Sequence, residues 1–146
     1  MFDYAWILLI FTTTINAYYL KARSQKYISA HPELQEGYDK LFKGYLIYLN
    51  IPWVIIGLGM IFGKVPDFLS FFEPREGNPF VLIFHAAFVI LLLLSVWWIY
   101  FRGGAEFLVK HPGIFRRELQ SPTTVKVFYA VALAGSVFAM IRMWSQ

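Results

Sequence analysis

Apolar residues fall into four long runs separated by polar segments. The runs occupy residues 4–20, 45–62, 80–101 and 125–144. A helix needs about 20 apolar residues to cross the hydrocarbon of a bilayer. In lipid, helices satisfy their own backbone hydrogen bonds. The pattern therefore predicts an all-α fold, an integral membrane four-helix bundle with four transmembrane helices, in a single transmembrane domain over residues 1–146.

Composition supports a membrane environment. Hydrophobic residues make up 58% of the chain and charged residues 15%, whereas about half of a soluble domain is apolar. There is no cysteine, so disulfides, thiolate metal ligands and cysteine nucleophiles are excluded. The net charge of +4 comes from basic residues between the apolar runs. This arrangement favours anionic lipid headgroups, so the predicted partner is the lipid bilayer and not nucleic acid.

Basic residues predict the orientation. The loops 21–44 and 102–124, with the first turns of the last run, carry ten of the thirteen: Lys21, Arg23, Lys26, Lys40, Lys43, Arg102, Lys110, Arg116, Arg117 and Lys126. The other three are Lys64, Arg75 and Arg142. The positive-inside rule places the basic loops in the cytoplasm. Both termini are then predicted on the non-cytoplasmic side.

Two His-Pro pairs occur at related positions, in "AHPEL" at 30–34 and "KHPGI" at 110–114. Each pair follows an apolar run and precedes the next one. Two helix pairs of equal polarity would form a parallel 2+2 repeat. The alternative is that two independent loops both use proline in the first turn of a helix. From Leu34 onward, helical spacing predicts that the second helix begins in the cytoplasm.

Polar and small residues within the runs suggest how the helices pack. The polar intramembrane cluster is Asn16, Asn50, Thr12 and Thr13. It is interpreted as structural, with an Asn16–Asn50 hydrogen bond, and an ion path is the alternative. Pro52 predicts a kink that frees the Tyr48 carbonyl, which Asn50 could cover. Small residues at GxxxG spacing favour close contact between helices or subunits, at Gly59, Gly63, Ala130, Ala134, Gly135 and Ala139.

His85 is the only ionisable residue between Val81 and Leu94, about 8 Å inside the boundary of the third run at helical rise. Ionisable residues in a span are functional-site hypotheses by default. The structural interpretation is a neutral imidazole with one donor and one acceptor partner, from Asp3, Asp67, Glu76 or a tyrosine. The functional alternative is cofactor binding, by axial ligation of a haem or porphyrin pigment. The cofactor would then be five-coordinate, or its second ligand would come from Met60, Met140 or a neighbouring subunit.

The cytoplasmic-face candidates are His31, His111, Glu33 and Glu36, which could converge as a carboxylate–imidazole cluster. Each histidine also has a simpler structural interpretation, as the residue before a proline that starts a helix, and no metal site is predicted.

Among the classes of function, catalysis has the least support. The sequence instead favours a non-enzymatic polytopic membrane protein, a subunit or scaffold of an assembly with itself or with other membrane subunits. The alternatives are a small oligomeric channel or transporter, and a haem- or pigment-binding redox subunit through His85.

Overall fold

A computed structural model describes residues 4–114 and 121–145, and in these ranges every regular element is helical. The predicted all-α class is confirmed. The helices are α1 (Ala5–Ala30), α2 (Gln35–Tyr48), α3 (Ile51–Phe62), α4 (Pro79–Phe101), α5 (Gly104–Lys110) and α6 (Pro122–Ser145). Short 3-10 turns occupy Pro32–Leu34, Leu69–Phe72 and Pro74–Glu76. Three residues considered above lie outside the described ranges: Asp3, Arg116 and Arg117.

Within the described ranges, three helical segments are long and apolar enough to cross a membrane. They are Pro32–Phe62, which joins α2 and α3, Pro79–Phe101 and Pro122–Ser145, and they contain the second, third and fourth predicted runs. α1 is long but is not among these segments. Asn16 and three threonines interrupt its apolar half, and its second half is basic from Lys21 onward. The chain is therefore a helical membrane protein in which α1 is the most polar of the long helices.

The second run is broken at Leu49 and Asn50, just before Pro52, as the proline predicts. α2 ends at Tyr48. The backbone N–H of Asn50 then bonds the Ile47 carbonyl at 3.2 Å instead of the α-helical partner Leu46. The Asn50 side-chain amide donates to the Leu46 carbonyl at 2.7 Å. Asn50 thus covers a freed carbonyl at the break, but the carbonyl belongs to Leu46 rather than to Tyr48.

α1 lies antiparallel beside α2 and α3. Near its start, the Trp6 indole packs on Gly57 of α3, where a β-carbon would come within 2.6 Å of the ring. Further along, Tyr18 meets Phe42 of α2 edge to face, with 5.3 Å between ring centroids. Ala17, between these contacts, is fully buried. The apolar half of α1 therefore lies at the same depth as the segment formed by α2 and α3.

The loop between α3 and α4 folds over one end of the helices, which we call the terminal end. Phe71 is fully buried there and meets Phe84 edge to face at 5.7 Å between centroids. Asn78 caps α4 by accepting from the Phe80 backbone N–H. The loop thereby closes a core at this end, formed by Ile56, Val65, Phe71, Val81 and Phe84.

Both His-Pro corners end a helix. His31 has φ −139° and ψ 79°, and His111 has φ −116° and ψ 76°. Contact with the proline ring keeps the preceding residue out of the helical region, which explains the shared conformation. The flanking elements differ, because α1 leads directly into His31 whereas α5 separates α4 from His111. The two corners thus share a local backbone conformation. The parallel 2+2 repeat stays a prediction.

Two glycines in apolar helices give opposite expectations for substitution. A β-carbon on Gly135 would have no heavy atom within 4 Å, so we expect Gly135→Ala to stabilise α6 by up to about 1 kcal/mol. A β-carbon on Gly59 would lie 2.6 Å from Phe71 Cζ. We therefore expect Gly59→Ala to destabilise the protein by about 1 kcal/mol or more. Denaturant unfolding in mixed micelles measures both, and changes of the same sign would contradict this packing.

Candidate functional site

His85 bridges two other elements at the terminal end and is only 4% exposed. Its Nε2 lies 2.9 Å from the Phe71 carbonyl oxygen, and its Nδ1 lies 3.3 Å from Trp144 Nε1. A carbonyl can only accept a hydrogen bond and an indole N–H can only donate one. Nε2 therefore carries the proton and Nδ1 is the acceptor. His85 is a neutral imidazole that links the loop after α3 to the last turn of α6.

The imidazole of His85 has one donor and one acceptor partner, as the sequence predicts. The residues that supply them are Phe71 and Trp144, which the sequence analysis did not propose. Among the described residues, no carboxylate or tyrosine bonds the ring of His85. Asp67 instead accepts from the Ser70 backbone N–H at 3.0 Å, and the two ring nitrogens of His85 bond Phe71 and Trp144 rather than Glu76. The expected partners Asp67 and Glu76 were therefore wrong, because a backbone carbonyl and an indole occupy both nitrogens.

The same geometry bears on the haem or porphyrin alternative. Iron would need Nδ1 of His85, which accepts from Trp144, or Nε2, which binds the Phe71 carbonyl. Ligation thus requires one of these hydrogen bonds to break. Two methionines are candidate second ligands. Met60 packs against the terminal-end core, whereas Met140 lies with His85 in a groove between α4 and α6.

This groove lies between α4 and α6 and has a volume of about 500 Å³. Its polar hydrogen-bonding side chains are His85 and Trp144, both at the terminal end. Along α6, the only buried residue is Val125 at the opposite end. α6 therefore presents most of its circumference to its surroundings. The groove is lined by Leu82, His85, Ala86, Val89, Ile90, Met140 and Trp144.

Polar contacts also hold the start of α6. The Tyr129 hydroxyl bonds the Ser95 hydroxyl of α4, and the Tyr100 hydroxyl donates to the Lys126 carbonyl at 2.8 Å. Lys126 Nζ lies 3.1 Å from a carboxylate oxygen of Glu106 in α5. The Glu106 backbone N–H and the Lys126 ammonium hold the pKa of the Glu106 carboxyl below its usual range. α6 is thus tied to α4 near both ends, with the groove between the two ties.

A second buried histidine lies at the other end of the molecule, which we call the loop end. His111 is 5% exposed, and its Nδ1 lies 2.7 Å from the Phe107 carbonyl oxygen. Its ring stacks on Phe107 at 4.2 Å and meets Tyr38 edge to face at 5.0 Å. A β-carbon on Gly37 would overlap Nε2 of this ring. The Tyr38 hydroxyl donates to the Pro112 carbonyl at 2.6 Å, so these contacts join the two basic loops.

The structure places the four cytoplasmic-face candidates in separate environments. His31 Nδ1 pairs with Glu33 Oε1 at 3.1 Å, and both side chains are exposed. Glu36 pairs with Lys40 at 2.7 Å, one helical turn further on. His111 is buried among aromatic rings. Within residues 4–114 and 121–145, no group of three or more His, Asp or Glu side chains could hold a metal ion.

The polar intramembrane residues do not meet one another. Thr12 and Asn16 are exposed on α1, and Thr13 is half-buried. Asn50 bonds its own helix, and its side-chain oxygen is buried without a hydrogen-bond partner. The predicted Asn16–Asn50 hydrogen bond is therefore absent. The Asn16 amide instead faces outward, whereas the Asn50 amide lies within the protein.

Comparisons with known proteins give no relative from which a role could be transferred. No protein-family model, curated protein or solved structure matches the chain. The function therefore has to be inferred from three features: the His85 bridge, the groove beside it and the exposed polar residues of α1.

Proposed function

We propose that this protein is a non-enzymatic polytopic membrane component that associates with itself or with another membrane subunit along α1. Asn16 carries this proposal. Its amide is exposed, and none of the described residues forms a hydrogen bond with it. The surrounding surface, the α1 outer face, consists of five exposed residues, Leu8, Thr12, Ile15, Asn16 and Tyr19.

The depth of Asn16 makes this exposure informative. Asn16 lies along α1 between Trp6 and Tyr18, which contact the second apolar segment. Lipid tails offer an amide no hydrogen bond, whereas a facing helix can. A bond of this kind between membrane helices contributes about 0.6 kcal/mol on average and about 1.7 at most. The apolar neighbours must therefore supply most of the contact, and Asn16 selects where it forms.

The proposal includes four membrane crossings, the first made by α1. α1 is antiparallel to α2 and α3 and shares their depth, which supports this role. Trp6 and Trp144 both lie at the terminal end, as an even number of crossings requires. The described parts of the basic loops, residues 21–44, 102–114 and 121–124, lie at the loop end. The positive-inside rule places that end in the cytoplasm. Both termini are then on the non-cytoplasmic side.

Single cysteines test the association surface, since the chain has none of its own. We expect Ile15→Cys to form a disulfide with a second copy carrying the same change, or a bifunctional cross-link to another subunit, in native membranes. The mass of the product distinguishes the two. Adding Asn16→Leu should lower the yield about 3-fold or more, which corresponds to one average cross-helix hydrogen bond.

Phe138→Cys is the matched control, because Phe138 is 66% exposed but lies on α6, a different helix from the α1 outer face. Association along α1 predicts that this thiol cross-links poorly. Equal yields from Ile15→Cys and Phe138→Cys would reject the proposed surface. A yield from Ile15→Cys that Asn16→Leu leaves unchanged would reject the role of the amide.

A small oligomeric channel or transporter is the second candidate function. It is favoured by the exposure of Thr12 and Asn16 on one face, which several copies could turn toward a common path. A path within one copy has less support, because Asn50 bonds its own helix. For a channel, we expect liposome flux that Asn16→Leu abolishes and Asn50→Leu preserves. For an association subunit, we expect no flux from any variant.

A further inference from the structure

The shape of the groove between α4 and α6 limits what can occupy it. α6 contacts α4 at both ends of the groove, through Trp144 on His85 and through Tyr129 on Ser95. A helix is about 10 Å wide with its side chains, so one inserted lengthwise between α4 and α6 would have to break both of these contacts. A single hydrocarbon chain is thin enough to enter from the side. The groove is open toward its surroundings and has a volume of about 500 Å³.

The chemistry at the terminal end of the groove limits the occupant further. Nδ1 of His85 accepts a hydrogen bond and Nε1 of Trp144 donates one, across 3.3 Å. This is longer than the usual 2.9–3.0 Å or so for an N–H donor. The bond to Phe71 fixes His85, whereas Trp144 is 46% exposed in the last turn of α6. The indole can therefore turn to admit a small group between the two rings.

A hydroxyl is the simplest group that satisfies both rings at once. Its O–H donates to Nδ1 of His85 while its oxygen accepts from Nε1–H of Trp144. An ether or ester oxygen only accepts and would leave Nδ1 without a donor. An ammonium only donates and would leave the indole N–H without an acceptor.

We propose that the groove binds a single-chain lipid with a hydroxyl on its head. The hydroxyl bridges His85 and Trp144, and the hydrocarbon chain runs from these rings past Ala86, Met140 and Ile90 toward the loop end. The chain exchanges bilayer hydrocarbon for the groove, so its burial contributes packing contacts rather than hydrophobic transfer energy. Most of the binding comes from the hydrogen bonds of the hydroxyl, for which lipid tails offer no partner. The hydroxyl provides the selectivity. This site is independent of the α1 outer face.

Photo-labelling of the purified full-length protein tests the site. The probes are hexadecanol with a photoreactive group in mid-chain and the methyl ether of the same molecule. We expect the alcohol to label peptides of α4 and α6, to be displaced by unlabelled hexadecanol, and to exceed the ether about 5-fold or more. Trp144→Phe keeps an aromatic ring and removes a donor that both oxygens can use. It should therefore weaken labelling by both probes and leave the preference for the alcohol, which depends on Nδ1 of His85.

Variants that fill the groove complete the test. Ala86→Phe, and independently Val89→Phe, should reduce labelling by the alcohol to the level of the ether, with thermal unfolding used to confirm that each variant folds. The matched control Ala134→Phe lies on an exposed part of α6 outside the groove and should leave labelling unchanged. Three outcomes would overturn the proposal: equal labelling by both probes, labelling spread over all the helices, or labelling that survives both filling variants.

Discussion

Gly37→Ala is expected to separate the two basic loops and to lower the free energy of unfolding by about 3 kcal/mol. The added methyl group would overlap the His111 ring, which cannot easily withdraw. Phe107 stacks on one side of that ring and Tyr38 packs against its edge. Moving the ring also disturbs the hydrogen bond from Tyr38 to Pro112. Denaturant unfolding in mixed micelles measures the loss.

Gly44→Ala is the matched control for this prediction. Gly44 lies in the same helix, but a β-carbon there would be 3.7 Å from its nearest neighbour, the Tyr48 ring. We expect this change to be neutral or to stabilise α2 by up to about 1 kcal/mol. Adding His111→Ala to Gly37→Ala should recover part of the loss, because it removes the overlapping ring. If Gly37→Ala and Gly44→Ala behave alike, the description of the loop-end contacts is wrong.

His85→Ala is expected to destabilise the protein by about 2–4 kcal/mol. It leaves the carbonyl of the fully buried Phe71 without a donor, and an unsatisfied buried acceptor costs about 1–3 kcal/mol. Loss of the bond to Trp144 adds less, about 0.6 kcal/mol, because that indole is half-exposed and can bond interfacial water or lipid. The cavity left by the imidazole adds to both. Chemical unfolding and protease sensitivity of the loop 63–78 report the effect.

His85→Gln and Trp144→Phe separate the two contributions. The amide of His85→Gln can still donate to Phe71, so we expect it to retain more stability than His85→Ala. Trp144→Phe leaves the Phe71 bond intact and should cost about 1 kcal/mol or less. A loss from Trp144→Phe as large as that from His85→Ala would show that the carbonyl bond is not the main contribution.

Much of the fold could be predicted from hydrophobic pattern, because a bilayer dictates both the length and the apolarity of a crossing. α4 and α6 begin and end within three residues of the predicted runs 80–101 and 125–144. α1 extends ten residues beyond the run 4–20, because the end of an apolar run marks the edge of hydrocarbon and not the end of a helix. The helix stops where the His31-Pro32 pair forbids helical backbone.

The candidate site was less predictable because its partners are backbone groups and distant rings. The sequence shows that His85 needs a donor and an acceptor, but it cannot show that the carbonyl of Phe71 faces the imidazole. The burial of His111 was missed for the same reason. Its one local signal is Gly37, a residue that helices disfavour, placed in the first turns of α2 where a ring from another loop can approach.

The two ties between α4 and α6 constrain how the protein responds to bilayer thickness. His85 with Trp144 and Ser95 with Tyr129 fix the register of the helices at two levels, so one cannot slide along the other without breaking a hydrogen bond. A thinner or thicker membrane is therefore accommodated by tilting the pair as one rigid frame, or by deforming the surrounding lipid. The other helices, joined to this frame through α3 and α5, must follow its tilt.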